Sequence, residues 1–262
     1  MDADRLVLHA LGRDTQDRTW LLTHGEEPAP PTALQRLDTL VARYQDGEPL
    51  AYLLGRQEFY GLSLAVDHRV LVPRPDTETL VDWALEVLAH QPSARAIDLG
   101  TGSGAIALAL KARRPDLHMR ALDASSDALE VARDNAQRLQ LQVDFSCGSW
   151  LAGVTERFDA IVSNPPYIAA QDDHLPALRH EPLSALASGA DGLDDIRLLV
   201  AQAPSRLLPA GWLLLEHGYD QAPAVRALLQ SAGFAQVQSR ADLSGIERCS
   251  GGQIPITPAI SA

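Results

Sequence analysis

The stretch Ile97-Asp98-Leu99-Gly100-Thr101-Gly102-Ser103-Gly104 reads as the end of a buried strand running into a glycine-rich turn, with a helix from Ala105 to Arg113 behind it. Glycine lets the backbone approach a ligand closely, and the N–H groups of a helix's first turn lack partners within the helix. A nucleotide-like cofactor fits such a turn. With Ala105 after Gly104 the stretch also satisfies the dinucleotide fingerprint, so it does not separate nicotinamide cofactors from S-adenosylmethionine. Outward from this turn, short apolar segments alternate with helical ones. Strands are expected at 94–99, 118–123, 141–146, 158–163 and 211–216, and helices at 105–113, 126–139 and 196–208. A closing pair of strands is expected at 234–240 and 247–250, behind a helix at 223–232. The alternation predicts an α/β fold with a mainly parallel, doubly wound sheet.

Upstream the pattern changes. Apolar residues at helical spacing over 4–24 and 32–46 predict two or more helices, separated by the loop Glu26-Glu27-Pro28-Ala29-Pro30-Pro31, with Thr32 as an N-cap. Alternation from Glu58 to Val72 predicts a hairpin, and Pro73-Arg74-Pro75-Asp76-Thr77 leads into a helix reaching His90, capped by Asp76 or Thr77. The domain reading is a helical unit at 1–56, a β-hairpin linker at 57–72 and the sheet domain at 73–262.

The composition narrows the function classes. In 262 residues, 46% are apolar, enough for a sizeable core, and the net charge is −12. That charge argues against a protein that wraps nucleic acid electrostatically, and the single lysine, Lys111, leaves no basic stripe. No apolar run approaches the ~20 residues of a membrane span, and Met1-Asp2-Ala3-Asp4-Arg5 lacks a basic leader start, so no membrane association and cytoplasmic residence are expected. Cys147 and Cys249 are expected to be buried free thiols, and no metal-ligand spacing emerges.

Two further features belong to the carboxyl edge of the predicted sheet. Asp123 ends the strand after the glycine turn at about the distance from which a carboxylate reaches both ribose hydroxyls. Asn164-Pro165-Pro166-Tyr167 follows the strand 158–163. Its prolines donate no ladder hydrogen bond and force the strand to stop, leaving a rigid shelf with an amide acceptor, free carbonyls and an aromatic face. Read alone, Asp98 and Asp123 are helix-capping carboxylates and Asn-Pro opens a turn. All three features converge on the edge where doubly wound sheets bind ligands. A planar NH2-bearing group suits the shelf.

The chain resembles the glutamine N5-methyltransferases of peptide-chain release factors, of the PrmC/HemK type, over nearly its whole length. The resemblance is carried by 48–55 (Glu-Pro-Leu-Ala-Tyr-Leu-Leu-Gly), Phe59-Tyr60, 71–78 (Leu-Val-Pro-Arg-Pro-Asp-Thr-Glu), 98–104, 163–168 (Ser-Asn-Pro-Pro-Tyr-Ile) and 213–218 (Leu-Leu-Leu-Glu-His-Gly). It implies a helical N-terminal domain that docks the release factor, a hairpin linker and a seven-stranded Rossmann-like methyltransferase domain using S-adenosylmethionine. It also implies class I release factors as partners, with the Gly-Gly-Gln glutamine as target; a monomer is expected. Carried over, Gly100, Thr101, Gly102, Ser103 and Gly104 line the methionine end of the cofactor, Asp123 holds the ribose, Trp150 lies beside the adenine, and Asn164, Pro165, Pro166 and Tyr167 hold the substrate glutamine. Two departures stand out: Ser149 occupies a place that is usually acidic, and the segment 172–182 is trimmed between His174 and Arg179.

The expected mechanism rests on positioning, because an amide nitrogen is a poor nucleophile and a sulfonium methyl is already activated. Asn164 and the Pro165 carbonyl accept the two amide N–H groups, and Tyr167 packs on the amide plane. An N6-adenine or other nucleic-acid amino methyltransferase offers the same shelf geometry and is the alternative. A non-catalytic module would carry damaged motifs, and none is seen. The chain's own Gly251-Gly252-Gln253 is read as a glycine-containing strand exit rather than as a self-methylation target.

Overall fold

A computed structural model describes residues 2–255. The first helical run is two helices, α1 (Asp2–Ala10) and α2 (Arg18–His24), with Gly12 in the left-handed region between them and Asp17 accepting from Trp20 N at 3.0 Å as the cap of α2. The third, α3 (Pro31–Gln45), starts on Pro31 with Pro30 at the cap position, which replaces the expected Thr32 cap. A short α4 (Leu50–Leu54), unforeseen as a separate helix, ends at Gly55 with φ 68°.

The hairpin is shorter than expected. Strands β1 (Arg56–Phe59) and β2 (Leu62–Ala65) are joined by Tyr60 and Gly61, both at positive φ, which is the two-residue turn that suits strand twist. Val66, Val70 and Val72, read as strand residues, instead lie in a loop and pack with Ala51 and Tyr52 against Ala128 and Val131. The following helix is a 3₁₀ turn, Pro75–Thr77, then α5 (Glu78–Val87), and Thr77 makes no side-chain cap bond.

The sheet domain holds β3 (Arg95–Leu99), α6 (Ala105–Arg113), β4 (His118–Asp123), α7 (Ser126–Leu139), β5 (Asp144–Cys147), β6 (Phe158–Ser163), α8 (Asp194–Gln202), β7 (Leu207–Glu216), α9 (Ala222–Ser231), β8 (Ala235–Ala241) and β9 (Glu247–Gln253). Its seven strands run in the order β5-β4-β3-β6-β7-β9-β8; the pairs from β5 to β7 are parallel, and β9 is antiparallel to both neighbours. Order reverses beside β3, placing a ligand crevice at its carboxyl end. Helices cover both faces, so the central strands read as unbroken apolar runs: Ala160, Ile161 and Val162 of β6 and Leu213, Leu214 and Leu215 of β7 are fully buried.

Other boundaries also moved. The helix expected to Leu208 stops at Gln202, because Pro204 turns the chain into a 3₁₀ step, and β7 begins at Leu207, ahead of Pro209. Strand β9 continues through Gly251-Gly252 instead of ending at Ser250. Cys147 is exposed at the end of edge strand β5, whereas Cys249 is buried as expected. Among the described residues no helix is long and apolar enough to cross a membrane.

Candidate active site

The glycine turn leaves β3 with Gly100, Gly102 and Gly104 all at positive φ. It is held from three sides: Gly100 N and Thr101 N donate to Leu122 O at 2.8 and 3.0 Å, Gly102 N to Asp123 Oδ2 at 2.8 Å, and Gly104 N to Thr101 O at 2.8 Å. A Cβ on Gly100 would lie 3.3 Å from the Trp150 ring, and one on Gly104 would lie 3.0 Å from Leu108; above Gly102 the space is open. Asp98 beneath the turn is fully buried. Its Oδ2 accepts from Thr101 Oγ1 at 2.6 Å, while Oδ1 has no partner. Burial pushes the Asp98 carboxyl up to about 7, against the pull of the Thr101 hydroxyl.

Asp123 closes the next wall, with Oδ1 accepting from Ser125 N at 2.9 Å, and Ser125 caps α7 through Ala128 N. Trp150 Nε1 donates to Asp195 Oδ1 at 3.0 Å, and Asp195 Oδ2 accepts from Ser188 Oγ at 2.7 Å, so the first turn of α8 aims the indole. Asn135, fully buried on α7, donates to Ser103 O at 2.9 Å and to Ala65 O at 3.0 Å and accepts from Ala65 N at 2.7 Å, joining the hairpin to the glycine turn. These parts enclose a cleft of about 370 Å³, also lined by Arg74, Thr77, Ser149, Asn164 and Pro166. An open glycine cradle, the Asp123 carboxylate and an indole wall, all lining the cleft, fit a nucleoside-bearing ligand.

At the shelf, Asn164 Nδ2 donates to Thr77 Oγ1 at 3.3 Å, and no described residue donates to Asn164 Oδ1 or to the Pro165 carbonyl. Pro165 and Tyr167 do not line the cleft, in contrast to the expected place of the ring. The Tyr167 side chain packs into the core on the α8 and α9 face, its hydroxyl reaches toward Glu216 Oε1 at 3.5 Å, and its backbone is held by Leu186 O and Gln221 Nε2. Glu216, at the end of β7, is buried with Oε2 unpartnered, and burial pushes its carboxyl up to about 7. Thr77 and Arg248 oppose that rise and Asp76 adds to it.

The segment after the shelf is anchored. Glu181, buried, accepts from Val72 N at 3.0 Å and pairs with Arg74, while Arg179 and His180 reach Asp46 of the helical unit. Gln253 lies inside β9 opposite Trp212, at the far end of the strands from Asn164, and its amide is taken up by Ala210 O at 3.0 Å and Gln236 Nε2 at 2.6 Å. The sequence reading missed Asp195, Ser188, Asn135 and the Thr77–Glu216 pair. Only Asn135 carried a signal, being an amide within the apolar stripe of α7.

The chain is similar to known methyltransferases. Residues 77–188 match the family described as Methyltransferase small domain, and residues 1–55 match PrmC N-terminal domain. The chain is 49% identical over 259 residues to a release factor glutamine methyltransferase of Xylella fastidiosa, covering 97% of this chain and 93% of that one. It is 48% identical to the Bordetella pertussis protein of the same name, covering 97% and 94%. A methyltransferase from Pyrococcus furiosus shares the fold at a TM-score of 0.60 with 19% identity, over 84% of this chain and 100% of that one.

Proposed function

The chain belongs to the release factor glutamine methyltransferase family, and from that premise we propose how its residues serve the reaction: Asn164 and the Pro165 carbonyl hold the side-chain amide of a Gly-Gly-Gln glutamine in class I release factors. The methyl donor is S-adenosylmethionine, which supplies a methyl group already activated on sulfonium. The glycine turn 100–104 and Asp123 are its cradle, and the indole of Trp150 is its aromatic wall.

One observation carries this reading: Asn164 Oδ1, on a residue of the cleft wall, and the carbonyl of Pro165, next to it in the chain, receive no donor from the described residues. A primary amide brings two N–H donors in one plane, which such a pair satisfies. When bound, the donor would supply its methyl group to the amide nitrogen and keep the bonding electron pair on its sulfur. Positive charge moves to nitrogen, where the same acceptors stabilise it until one N–H proton leaves to solvent. The helical unit 1–56, tied to 179–181 through Asp46, is the docking domain, and the hairpin linker 57–72 joins it to the methyltransferase domain.

Transfer of labelled methyl to purified release factor, to its Gly-Gly-Gln variant with the glutamine replaced, and to DNA tests the reading. Label is expected on the intact release factor alone. Asn164→Ala should lower kcat roughly 100-fold or more, with cofactor Kd changed less than about threefold. Label on DNA alone overturns the substrate, and full turnover by Asn164→Ala overturns the role of the shelf.

A further inference from the structure

An asparagine side chain presents nearly the same shape whichever way its amide is turned, so its hydrogen-bond partners decide which atom faces a ligand. For Asn164 the choice matters. Oδ1 toward the substrate accepts an N–H, whereas Nδ2 toward the substrate would set donor against donor. Among the described residues the one hydrogen bond of this amide is Nδ2 to Thr77 Oγ1, at 3.3 Å. A threonine hydroxyl both donates and accepts, so Thr77 orients Asn164 only if its own proton is committed elsewhere. Behind Thr77, which is 4% exposed, lies Glu216, which is 1% exposed; Oε2 of its carboxyl group has no hydrogen-bond partner among the described residues, and the neighbouring Thr77 hydroxyl favours its charged form. The Tyr167 hydroxyl approaches Oε1 of the same carboxylate.

We propose that Thr77 and Glu216 are positioning residues for the methyl transfer: the Glu216 carboxylate takes the Thr77 proton, the Thr77 lone pair takes Asn164 Nδ2, and Asn164 Oδ1 is thereby turned to the substrate amide. The inference rests on the role given to Asn164 above. It also explains why an acidic residue ends β7 in a dry position. The charged and titratable groups around Glu216 are Asp76 on the 3₁₀ turn, Arg248 and Cys249 on β9 and Tyr167 on the shelf. Arg248 bridges Asp76 at 3.4 Å and Asp242 at 3.3 Å, so its charge is already shared between two carboxylates before it acts on Glu216. With Glu216 ionised, Thr77 must accept from Asn164. With Glu216 protonated, its own O–H can donate to Thr77, whose proton is then free to select the reversed amide. Burial lifts the Glu216 carboxyl to about 7, so protonation as pH falls below about 7 releases the orientation.

The test compares wild type with Thr77→Val, Thr77→Ser, Glu216→Gln, Asn164→Ala and the Asn164→Ala/Thr77→Val pair. Methyl transfer to release factor is followed from about pH 6 to about pH 9, with cofactor Kd and thermal melting for each protein. Thr77→Val is expected to lose roughly 10- to 100-fold in kcat with KM and cofactor Kd nearly unchanged, and Thr77→Ser to recover most of that loss. The fall in wild-type kcat below about pH 7 should vanish in Thr77→Val and Glu216→Gln, and Thr77→Val should cost nothing further once Asn164 is Ala. An equal cost on the Asn164→Ala background, or an acid limb persisting in Thr77→Val, overturns the proposal. A readout free of turnover separates this proposal from the substrate assignment. The Asn164 side-chain amide resonance, identified by its loss in Asn164→Ala, should titrate near pH 7 in wild type and not in Thr77→Val. If it does so while release factor receives no methyl, the relay stands and the substrate assignment falls. If it does not titrate, the relay falls.

Discussion

Asp98 is a carboxylic acid buried in the core, with the Thr101 hydroxyl and the Ala107 backbone as its polar neighbours. Its pKa, raised by burial to about 7, sets the sign of a stability effect. Below about pH 4 both the folded and the unfolded chain carry the proton, and the full contribution is present. As pH rises from about 4 to about 7 the unfolded chain ionises first, so stability is lost across that window and levels off above it. Glu216 acts in the same direction. Asp98→Asn, which keeps a partner for Thr101, should therefore flatten the decline of unfolding free energy between about pH 4 and about pH 7 by an amount on the order of a few kcal/mol, seen as a shallower fall of Tm, with the remaining slope due to Glu216. Parallel slopes for wild type and variant in pH-resolved melts would remove this account. Residues of this kind divide cleanly by legibility. The glycine turn, Asp123 and Asn164 were readable because each follows a strand end at a spacing that reports a backbone need. Asp195 and Asn135 were not, because Asp195 acts on a ring 45 positions away and Asn135 on a carbonyl 32 positions away, and nothing local marks those meetings.

At the scale of elements, glycines in β9 illustrate how a local rule misleads. Gly251-Gly252 resembles a strand exit, yet both residues pair in the sheet, Gly251 with Leu214 and Gly252 with Leu213. The reason lies in the neighbouring layer: a Cβ on Gly251 would stand 2.6 Å from Leu214 Cδ2, 2.7 Å from Leu213 O and 2.9 Å from the Trp83 ring. Two of these neighbours sit in a fully buried core and one is backbone, so none can yield cheaply. Gly251→Ala should cost roughly 1–3 kcal/mol or more in urea unfolding. Gly233→Ala, with open space around its Cβ, should cost only the strain of its positive φ, on the order of 1 kcal/mol. Equal costs would mean that the crowding by β7 and Trp83 is not what requires glycine in β9. The same limit explains the other displaced boundaries. Periodicity identified every strand of the parallel half, but the strand expected at 211–216 begins at Leu207 and runs through Pro209, and Val70 and Val72 read as strand although they pack on α7 from a loop.

At the scale of the whole molecule, the wall of the cleft is continuous with the helical unit. The chain from Arg69 to Thr77 lines the cleft, and the segment before it is pinned to α7 by Asn135 and to α4 by the valines of the linker cluster. Two struts fasten the segment after the shelf to this assembly, and their burial separates them. Arg179 and Asp46 are exposed, with side-chain accessibilities of 54% and 66%, so their pairing is screened and worth little. The Glu181 carboxylate is 2% exposed and accepts from the Val72 N–H within the structure, and only its Arg74 partner reaches water. Removing the carboxylate leaves a buried N–H without an acceptor, a loss of about 1–3 kcal/mol, whereas removing Arg179 costs within about 0.5 kcal/mol. Glu181→Ala should therefore lower the urea midpoint and speed proteolysis within 169–189, with Arg179→Ala close to wild type in both. Because Arg74 also lines the cleft, Glu181→Ala should in addition weaken cofactor binding, measurable by calorimetry. If Arg179→Ala destabilised the chain as much as Glu181→Ala, the helical unit would be gripping this segment through its surface, and the buried strut to Val72 and Arg74 would not be what fastens it beside the cleft.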